Sequence, residues 1–314
     1  MTTQKKYKIG TRGSPLALAQ AHETRERLLT AHPDLLSEDD LQIVVIKTTG
    51  DQIQDRALSE AGGKGLFVKE IEEALIRGDI DLAVHSMKDM ETSLPNGLVI
   101  DCILPREDPR DAFISKDGTA LADMPAGSVI GTSSLRRQAQ ILNVRPDLKV
   151  CLFRGSVETR LRKLEEGQAD ATLLACAGLN RLDNAQVITH PLESSEMLPA
   201  VAQGAIGIEH RADDEEMGRL LAAINHPESC IRVQCERAML AELDGSCRTP
   251  IAGHAVLKEN QTIELEATLF SPDGVQRFDA RGEASLEDAV ALGTRLGREL
   301  REKAGDDFPA FQIP

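Results

Sequence analysis

Leu75-Ile-Arg-Gly-Asp-Ile-Asp81 and Leu164-Glu-Glu-Gly-Gln-Ala-Asp170 are two copies of one pattern, Leu-x-x-Gly-x-x-Asp. Before the first copy, Phe67, Ile71, Ala74 and Leu75 recur at helical spacing. Gly78 ends that helix, and a strand is expected over Ile80–Val84. The second copy also has a helix before it and an apolar run after it, Ala171-Thr-Leu-Leu-Ala. A repeated helix–glycine–strand unit implies two α/β lobes of similar design, each with a largely parallel sheet. Ligands in such folds sit at the carboxyl ends of strands, often between lobes. Each copy delivers polar residues there: His85-Ser-Met-Lys-Asp89 in one, Ala177-Gly-Leu-Asn-Arg181 in the other.

Upstream, Val44-Val45-Ile46 reads as a short buried strand. The stretch Thr48–Gly65, rich in Gly, Asp and Gln and without a period, is expected to be a mobile loop that contains Asp51. Gly62, Gly63 and Lys64 lack the Gly-x4-Gly-Lys-Ser/Thr spacing of a phosphate loop and read instead as a hinge at the loop's base. Downstream the pattern changes. Ile231–Leu243 is helical, and Ile263, Leu265, Ala267 and Leu269 alternate with Glu264, Glu266 and Thr268 as a half-buried strand. Ser271-Pro-Asp-Gly274 is a hairpin turn, and Ser285 with Asp288 caps a helix running to about Ala304. This is a small α+β domain.

The chain has 314 residues, room for two or three domains, with 41% hydrophobic and 28% charged residues. No apolar run approaches the length of a membrane span, and no secretory leader is evident, so a cytoplasmic protein without membrane contact is expected. The cysteines at 102, 151, 176, 230, 235 and 247 form no Cys-x-x-Cys pair, so neither disulfides nor a structural metal are expected. A net charge of −15 argues against nucleic acid as a partner. That charge is unevenly spread: from Ile130 to Arg181 the balance is +4, against −19 elsewhere. Most of the basic residues there are arginines, whose fixed fork of donors suits carboxylates and phosphates.

Two loops concentrate this charge. Gly131-Thr-Ser-Ser-Leu-Arg-Arg137 opens a helix with Ser133 or Ser134 as N-cap, and offers free backbone N–H groups to an anion. Arg136 and Arg137 in the first turn oppose the macrodipole, as a bound anion would allow. Phe153-Arg-Gly-Ser-Val-Glu-Thr-Arg160 repeats the arrangement with Ser156 as N-cap. With Arg181, the two loops would hold several carboxylates at once. In His85-Ser-Met-Lys-Asp89, Asp89 is equally a helix cap or a catalytic carboxylate by position, and His85 reads as a hydrogen-bonded core residue. Cys247, in the turn Leu243-Asp-Gly-Ser-Cys-Arg-Thr-Pro250, is either a tolerated thiol or a functional one favoured as thiolate by Arg248.

The chain resembles the porphobilinogen deaminase family, also called hydroxymethylbilane synthases. The resemblance rests on Gly10-Thr-Arg-Gly-Ser-Pro-Leu-Ala-Leu18, Gly62-Gly-Lys-Gly-Leu-Phe67, His85-Ser-Met-Lys-Asp89, Gly131-Thr-Ser-Ser-Leu-Arg-Arg137, Arg154-Gly-Ser-Val-Glu-Thr-Arg-Leu161, Ala177-Gly-Leu-Asn-Arg-Leu182, Leu198-Pro-Ala-Val-Ala-Gln-Gly204 and the Cys247 loop. These motifs stand in the family's order and span most of the chain.

The resemblance implies two lobes of the periplasmic-binding-protein type plus a small C-terminal α+β domain with a three-stranded antiparallel sheet. The implied boundaries are 1–104 with 203–224, 105–202, and 225–314. It further implies a dipyrromethane cofactor on Cys247 through a thioether. Four porphobilinogen molecules are condensed head to tail onto it with loss of ammonia, and hydrolysis frees hydroxymethylbilane. Asp89 matches the catalytic aspartate, placed to stabilise the cationic carbon left when ammonia departs. Arg12, Ser14, Lys88, Thr132, Ser134, Arg136, Arg137, Arg154, Arg160 and Arg181 are implied contacts for the carboxylates of cofactor and growing oligopyrrole. A monomer needing no metal is implied. The chain departs from the family at Met90-Glu91, where a proline is usual two places after the aspartate, at Ser156 for asparagine, and at Ala202 for glycine. A rival reading, a non-catalytic small-anion binding protein of the same two-lobed fold, accounts for the arginines but not for Cys247.

Overall fold

The computed structural model of the protein describes residues 6–52, 68–243 and 249–312. Two compact units divide them: up to residue 52 with 68–106 and 205–230, and 107–204 with 231–312. The first unit runs β1 (Tyr7–Thr11), α1 (Pro15–Ala31), β2 (Leu41–Val45), α2 (Thr49–Gln52), α3 (Lys69–Arg77), β3 (Leu82–Ser86) and β4 (Leu98–Ile103). The second follows with β5 (Asp111–Ser115), β6 (Val129–Gly131), α4 (Leu135–Val144), β7 (Lys149–Cys151), α5 (Val157–Glu165), β8 (Ala171–Ala175), α6 (Cys176–Arg181) and β9 (His190–Leu192). The chain then supplies β10 (Ile206–Arg211) and α7 (Glu215–Ala222) to the first unit. It ends with α8 (Pro227–Glu242), β11 (Ile251–Leu257), β12 (Thr262–Phe270), β13 (Arg277–Ser285) and α9 (Ala289–Ala304).

The Leu-x-x-Gly-x-x-Asp repeat performs the same task twice. Gly78 (φ 76) and Gly167 (φ 78) take the left-handed conformation that stops α3 and α5. The residue after each glycine donates back into the helix, Asp79 N to Ala74 O and Gln168 N to Lys163 O. The aspartates then pin the start of the neighbouring strand. Asp81 N donates to Lys8 O, and the Asp81 carboxylate accepts from Lys8 N at 2.8 Å. Asp170 N donates to Val129 O, and its carboxylate accepts from Val129 N at 2.7 Å. Because these residues serve the stop and the pin, β3 starts at Leu82, two residues beyond the expected Ile80.

The sheet orders, β2-β1-β3-β10-β4 and β7-β6-β8-β5-β9, are one topology used twice. In each, three parallel strands are followed by a strand that pairs antiparallel on both sides, β10 in the first and β5 in the second. The sheets are therefore mixed rather than largely parallel. A parallel neighbour needs a helical crossover on the same sheet. β10 and β5 are instead the first strands laid down after the chain arrives from the other unit's residues, so that constraint does not apply to them. Apolar residues cover both faces: Ile9, Val84 and Ile208 with Leu28 on one side of the first sheet, Ile71, Leu75 and Ile80 on the other. In the second sheet Phe113, Ile130 and Leu173 are matched across the sheet by Ile114, Phe153 and Leu174. Burial on both faces explains the near-continuous apolar runs of these strands.

β11, β12 and β13 form the antiparallel three-stranded sheet. Ile263, Leu265, Ala267 and Leu269 are buried, as their alternation predicts. Asp288 is the N-cap of α9 and donates its N–H to Ser285 Oγ. The hairpin turn after β12 lies on α4: Asn143 Nδ2 donates to Gly274 O at 2.9 Å and Gln138 Nε2 to Pro272 O at 3.3 Å. On α8, the buried Glu236 carboxylate accepts from Ala202 N at 2.6 Å and Ala255 N at 2.8 Å.

The returning segment is unusual in its backbone. Ala202 (φ 58) and Gly204 (φ 88) are both left-handed. Ala202 tolerates this while its N–H is held by Glu236. At Gly204 a Cβ would overlap Glu107 O and come within 3.2 Å of its carbonyl carbon. Both obstacles are main chain, so neither moves aside. Gly204→Ala should therefore lower stability by about 2 kcal/mol or more, combining the left-handed penalty with the overlap. Equilibrium urea unfolding measures it, and an unchanged midpoint would count against this account.

Candidate functional site

Parallel pairing gathers the first unit's expected site residues on one sheet edge. β1 and β3 are neighbours in register Ile9–Leu82 and Gly10–Ala83. Arg12 and Ser14 follow β1, and Lys88 and Asp89 follow β3, so all four lie at the carboxyl edge. Ser14 is the N-cap of α1, its hydroxyl accepting from Ala17 N at 3.3 Å. Asp89 is exposed and closes a one-turn 3-10 helix, Met87–Asp89. That turn is held from below. Met87 N donates to Ala205 O at 3.0 Å, and Ser86 and Gln20 exchange hydrogen bonds through their side chains. His85 is a buried core residue, with Nε2 at 2.9 Å from Glu209 Oε2. Glu209 is fully buried, and its Oε1 has no hydrogen-bond partner among the described residues. Burial, reinforced by the charge of Glu209, pushes the nearby Glu72 carboxyl up to about 7, with His85 acting in the opposite sense.

The second unit repeats this arrangement with different chemistry. β6 is parallel to both β7 and β8. Thr132 and Ser134 follow β6, Arg154 and Ser156 follow β7, and Arg181 closes α6 after β8. Ser134 is the N-cap of α4, accepting from Arg137 N at 3.4 Å, and Thr132 Oγ1 accepts from Ser134 N. Ser156, where asparagine is usual, caps α5 by accepting from Thr159 N at 3.3 Å. Arg160 Nε donates to Gly155 O, and Arg181 Nη2 donates to Gly204 O at 3.1 Å.

Arg136 and Arg137 are placed differently from the other arginines. Each is only 5% exposed. Both pair with Asp111, at the start of β5: Arg136 Nη1 donates to Oδ2 at 2.7 Å, and Arg137 Nη2 and Nε donate to Oδ1 at 2.7 and 3.0 Å. Arg136 Nη1 also donates to Leu198 O, and Arg137 Nη1 to Leu173 O. Gln203 Nε2 supplies another bond to Asp111 Oδ1 at 3.0 Å. Burial disfavours the carboxylate, but the two guanidinium charges outweigh it and hold Asp111 well below the usual range. The carboxylate that offsets the unfavourable dipole position of these arginines is thus one of the chain's own. Sequence reasoning passed over Asp111; its only signal was an acidic residue in Glu107-Asp-Pro-Arg-Asp111, just before an apolar strand.

Five cysteines are free thiols among the described residues. Burial pushes Cys102, Cys176 and Cys235 up to about 12 and raises Cys151 and Cys230. None has the depressed pKa of a reactive thiol. Cys247, Gly62, Gly63 and Lys64 lie outside the described residues. Asp51 lies in α2, so the expected loop begins as helix. Among the described residues no cluster of three or more His, Cys, Asp or Glu is placed to hold a metal, and no helix is long and apolar enough to cross a membrane.

Residues 7–219 match the family model described as porphobilinogen deaminase, dipyromethane cofactor binding domain, and residues 230–302 match the model of the C-terminal domain of the same enzyme. The chain belongs to the porphobilinogen deaminase family. The porphobilinogen deaminase of Paracoccus denitrificans is 56% identical over 305 residues, which cover 97% of this chain and 96% of that one. The chloroplastic enzyme of Pisum sativum is 55% identical, over 96% of this chain and 82% of the relative. Among solved structures, a periplasmic binding protein of Salmonella typhimurium aligns over 70% of this chain and 92% of its own at 11% identity, with a TM-score of 0.40.

Proposed function

We propose that the two carboxyl edges divide the work of a porphobilinogen deaminase: Asp89 serves the reacting carbon, and the arginine edge of the second unit holds the carboxylates of cofactor and oligopyrrole. The observation that carries this reading is the convergence of Thr132, Ser134, Arg154, Arg160 and Arg181 on the ends of three parallel strands. Each porphobilinogen brings an acetate and a propionate, so a lengthening chain needs many charge-assisted donors in fixed positions. Arg136 keeps Nε and Nη2 without a hydrogen-bond partner among the described residues, so it can meet a ligand carboxylate while Asp111 fixes its orientation. The donor set therefore fits a polycarboxylate such as dipyrromethane, which when bound supplies the pyrrole to which the first substrate is joined.

Asp89, exposed at the end of a short turn, stabilises positive charge at the substrate carbon from which ammonia leaves, together with the pyrrole N–H beside it. Arg12, Ser14 and Lys88 lie on the same edge as further donors for substrate carboxylates. Cys247 is assigned as the attachment residue because its loop matches the family's cofactor-bearing cysteine; the raised pKa values of the five described cysteines accord with that. Gly62, Gly63 and Lys64 are assigned as a hinge, and Asp51 to the helix that precedes the segment they close. The reading extends to a monomer acting in the cytoplasm, divided at 1–104 with 203–224, 105–202 and 225–314, with no nucleic-acid or membrane partner. The binding-protein rival has no role for a thiol in the Cys247 loop.

Intact mass spectrometry of the purified, active protein tests the assignment. The chain should be heavier by two linked pyrroles, and Cys247→Ser should remove the increment. An unmodified cysteine in active protein would refute the attachment.

A further inference from the structure

Strand β10 lies next to β3 but is separated from it by more than a hundred residues of chain. It meets the Asp89 turn at successive positions. Ala205, just before β10, accepts the main-chain bond from Met87 N. Glu209 holds His85, two residues before Met87. Between them is Gly207, which pairs with His85 in the sheet. A Cβ on Gly207 would overlap Met87 Sδ and come within 3.0 Å of its Cγ and 3.1 Å of Ile100 Cγ2. Met87 is 3% exposed, so its side chain is packed down onto this bare stretch of β10.

We infer that Gly207 is a positioning residue for the reaction: its missing side chain is the seat of Met87, and that seat sets where Asp89 stands. A glycine inside a strand gives up packing and backbone order, and marks a place where another group must come close. Here the approaching group belongs to the turn that carries Asp89. The turn is only Met87–Asp89 long and closes with Met90 N donating to Met87 O. It has no length over which to absorb a displacement of Met87, so a shift at Met87 passes to Asp89. The inference rests on Asp89 acting as the catalytic carboxylate.

Gly207→Ala puts a methyl into the space of Met87 Sδ; because Met87 is only 3% exposed, its side chain has no open room to swing into and yields together with its turn, so the fold survives while the turn is lifted. A misplacement on the ångström scale lowers turnover by about 10–10²-fold. KM should change less than kcat, because the arginine edge is untouched and Lys88 is the one proposed carboxylate donor that shares the turn. Met87→Ala removes the obstructing atoms, so Gly207→Ala should have no further effect on kcat in that background. Steady-state kinetics of wild type, both single variants and the double variant read this directly. Wild-type kcat in Gly207→Ala, or the same loss in both backgrounds, overturns the inference. If Gly207→Ala does not fold, Met87→Ala alone decides: a fall in kcat larger than any change in KM, at an unchanged urea midpoint, supports the seat, and wild-type kcat refutes it. Asp89→Asn is the control. Wild-type turnover in that variant removes the reading on which the inference rests. An inactive Asp89→Asn beside a fully active Gly207→Ala removes the positioning role alone.

Discussion

Asp111→Asn should destabilise the unit that contains it by about 3–5 kcal/mol, the range for leaving buried charge without its partner. Asp111 is fully buried and accepts from Arg136, Arg137 and Gln203. Asparagine keeps the shape and one acceptor but removes the negative charge. Two guanidinium groups, each 5% exposed, are then left to repel one another. The pH dependence has a definite sign. The folded-state pKa of Asp111 is depressed, so its stabilisation is fully present above the unfolded value of about 3.8. It is lost progressively as pH falls from that value through the lower folded value. The gap between wild type and variant should therefore be constant at neutral pH and narrow in acid. Urea midpoints at both pH values measure it, and a neutral-pH midpoint equal to wild type would mean that the triad contributes nothing. The triad also changes how Arg136→Leu or Arg137→Leu should be interpreted. Either substitution unbalances Asp111 as well as deleting a proposed ligand donor, so loss of cofactor must be compared with the midpoint shift.

The lobes were legible because their signals are local. Gly78 and Gly167 end helices for a backbone reason, and Asp81 and Asp170 follow at the spacing needed to pin the next strand. The N-cap at Ser156, and the one at Ser134 to within one residue, were readable on the same ground, since a cap is decided within one helical turn. What escaped the sequence depends on distant pairing. The antiparallel placement of β5 and β10 is set by where the chain crosses, which no periodicity records. Asp111 meets residues 25 and 26 places along the chain, and Glu209 meets His85 across 124. A buried acid in a strand looks, in one dimension, like any acidic residue beside an apolar run. Gly207 was equally silent, because the reason for its missing side chain is Met87, which lies on another strand's turn.

Asp89→Asn should lower kcat by roughly 10²-fold or more, on the precedent of removing a charge aimed at a developing opposite charge. Asp89 is exposed, and it follows a buried strand on a turn held by Ala205 O and the Gln20–Ser86 pair. Asparagine preserves size and one acceptor oxygen, so the turn and its neighbours should be undisturbed. Only the full negative charge is lost, and with it the attraction for the carbon that becomes positive as ammonia leaves. Ground-state binding depends chiefly on the substrate carboxylates and their basic partners, so KM should change far less than kcat. A general fault in folding would shrink the active fraction and move the urea midpoint; a fault in the chemistry lowers kcat at an unchanged midpoint. Steady-state kinetics should therefore be run beside a denaturation curve and an intact mass that establishes the same cofactor loading. Turnover within a few-fold of wild type, at equal loading, would remove Asp89 from the chemistry. A loss confined to kcat would place the stabilising charge on that carboxylate.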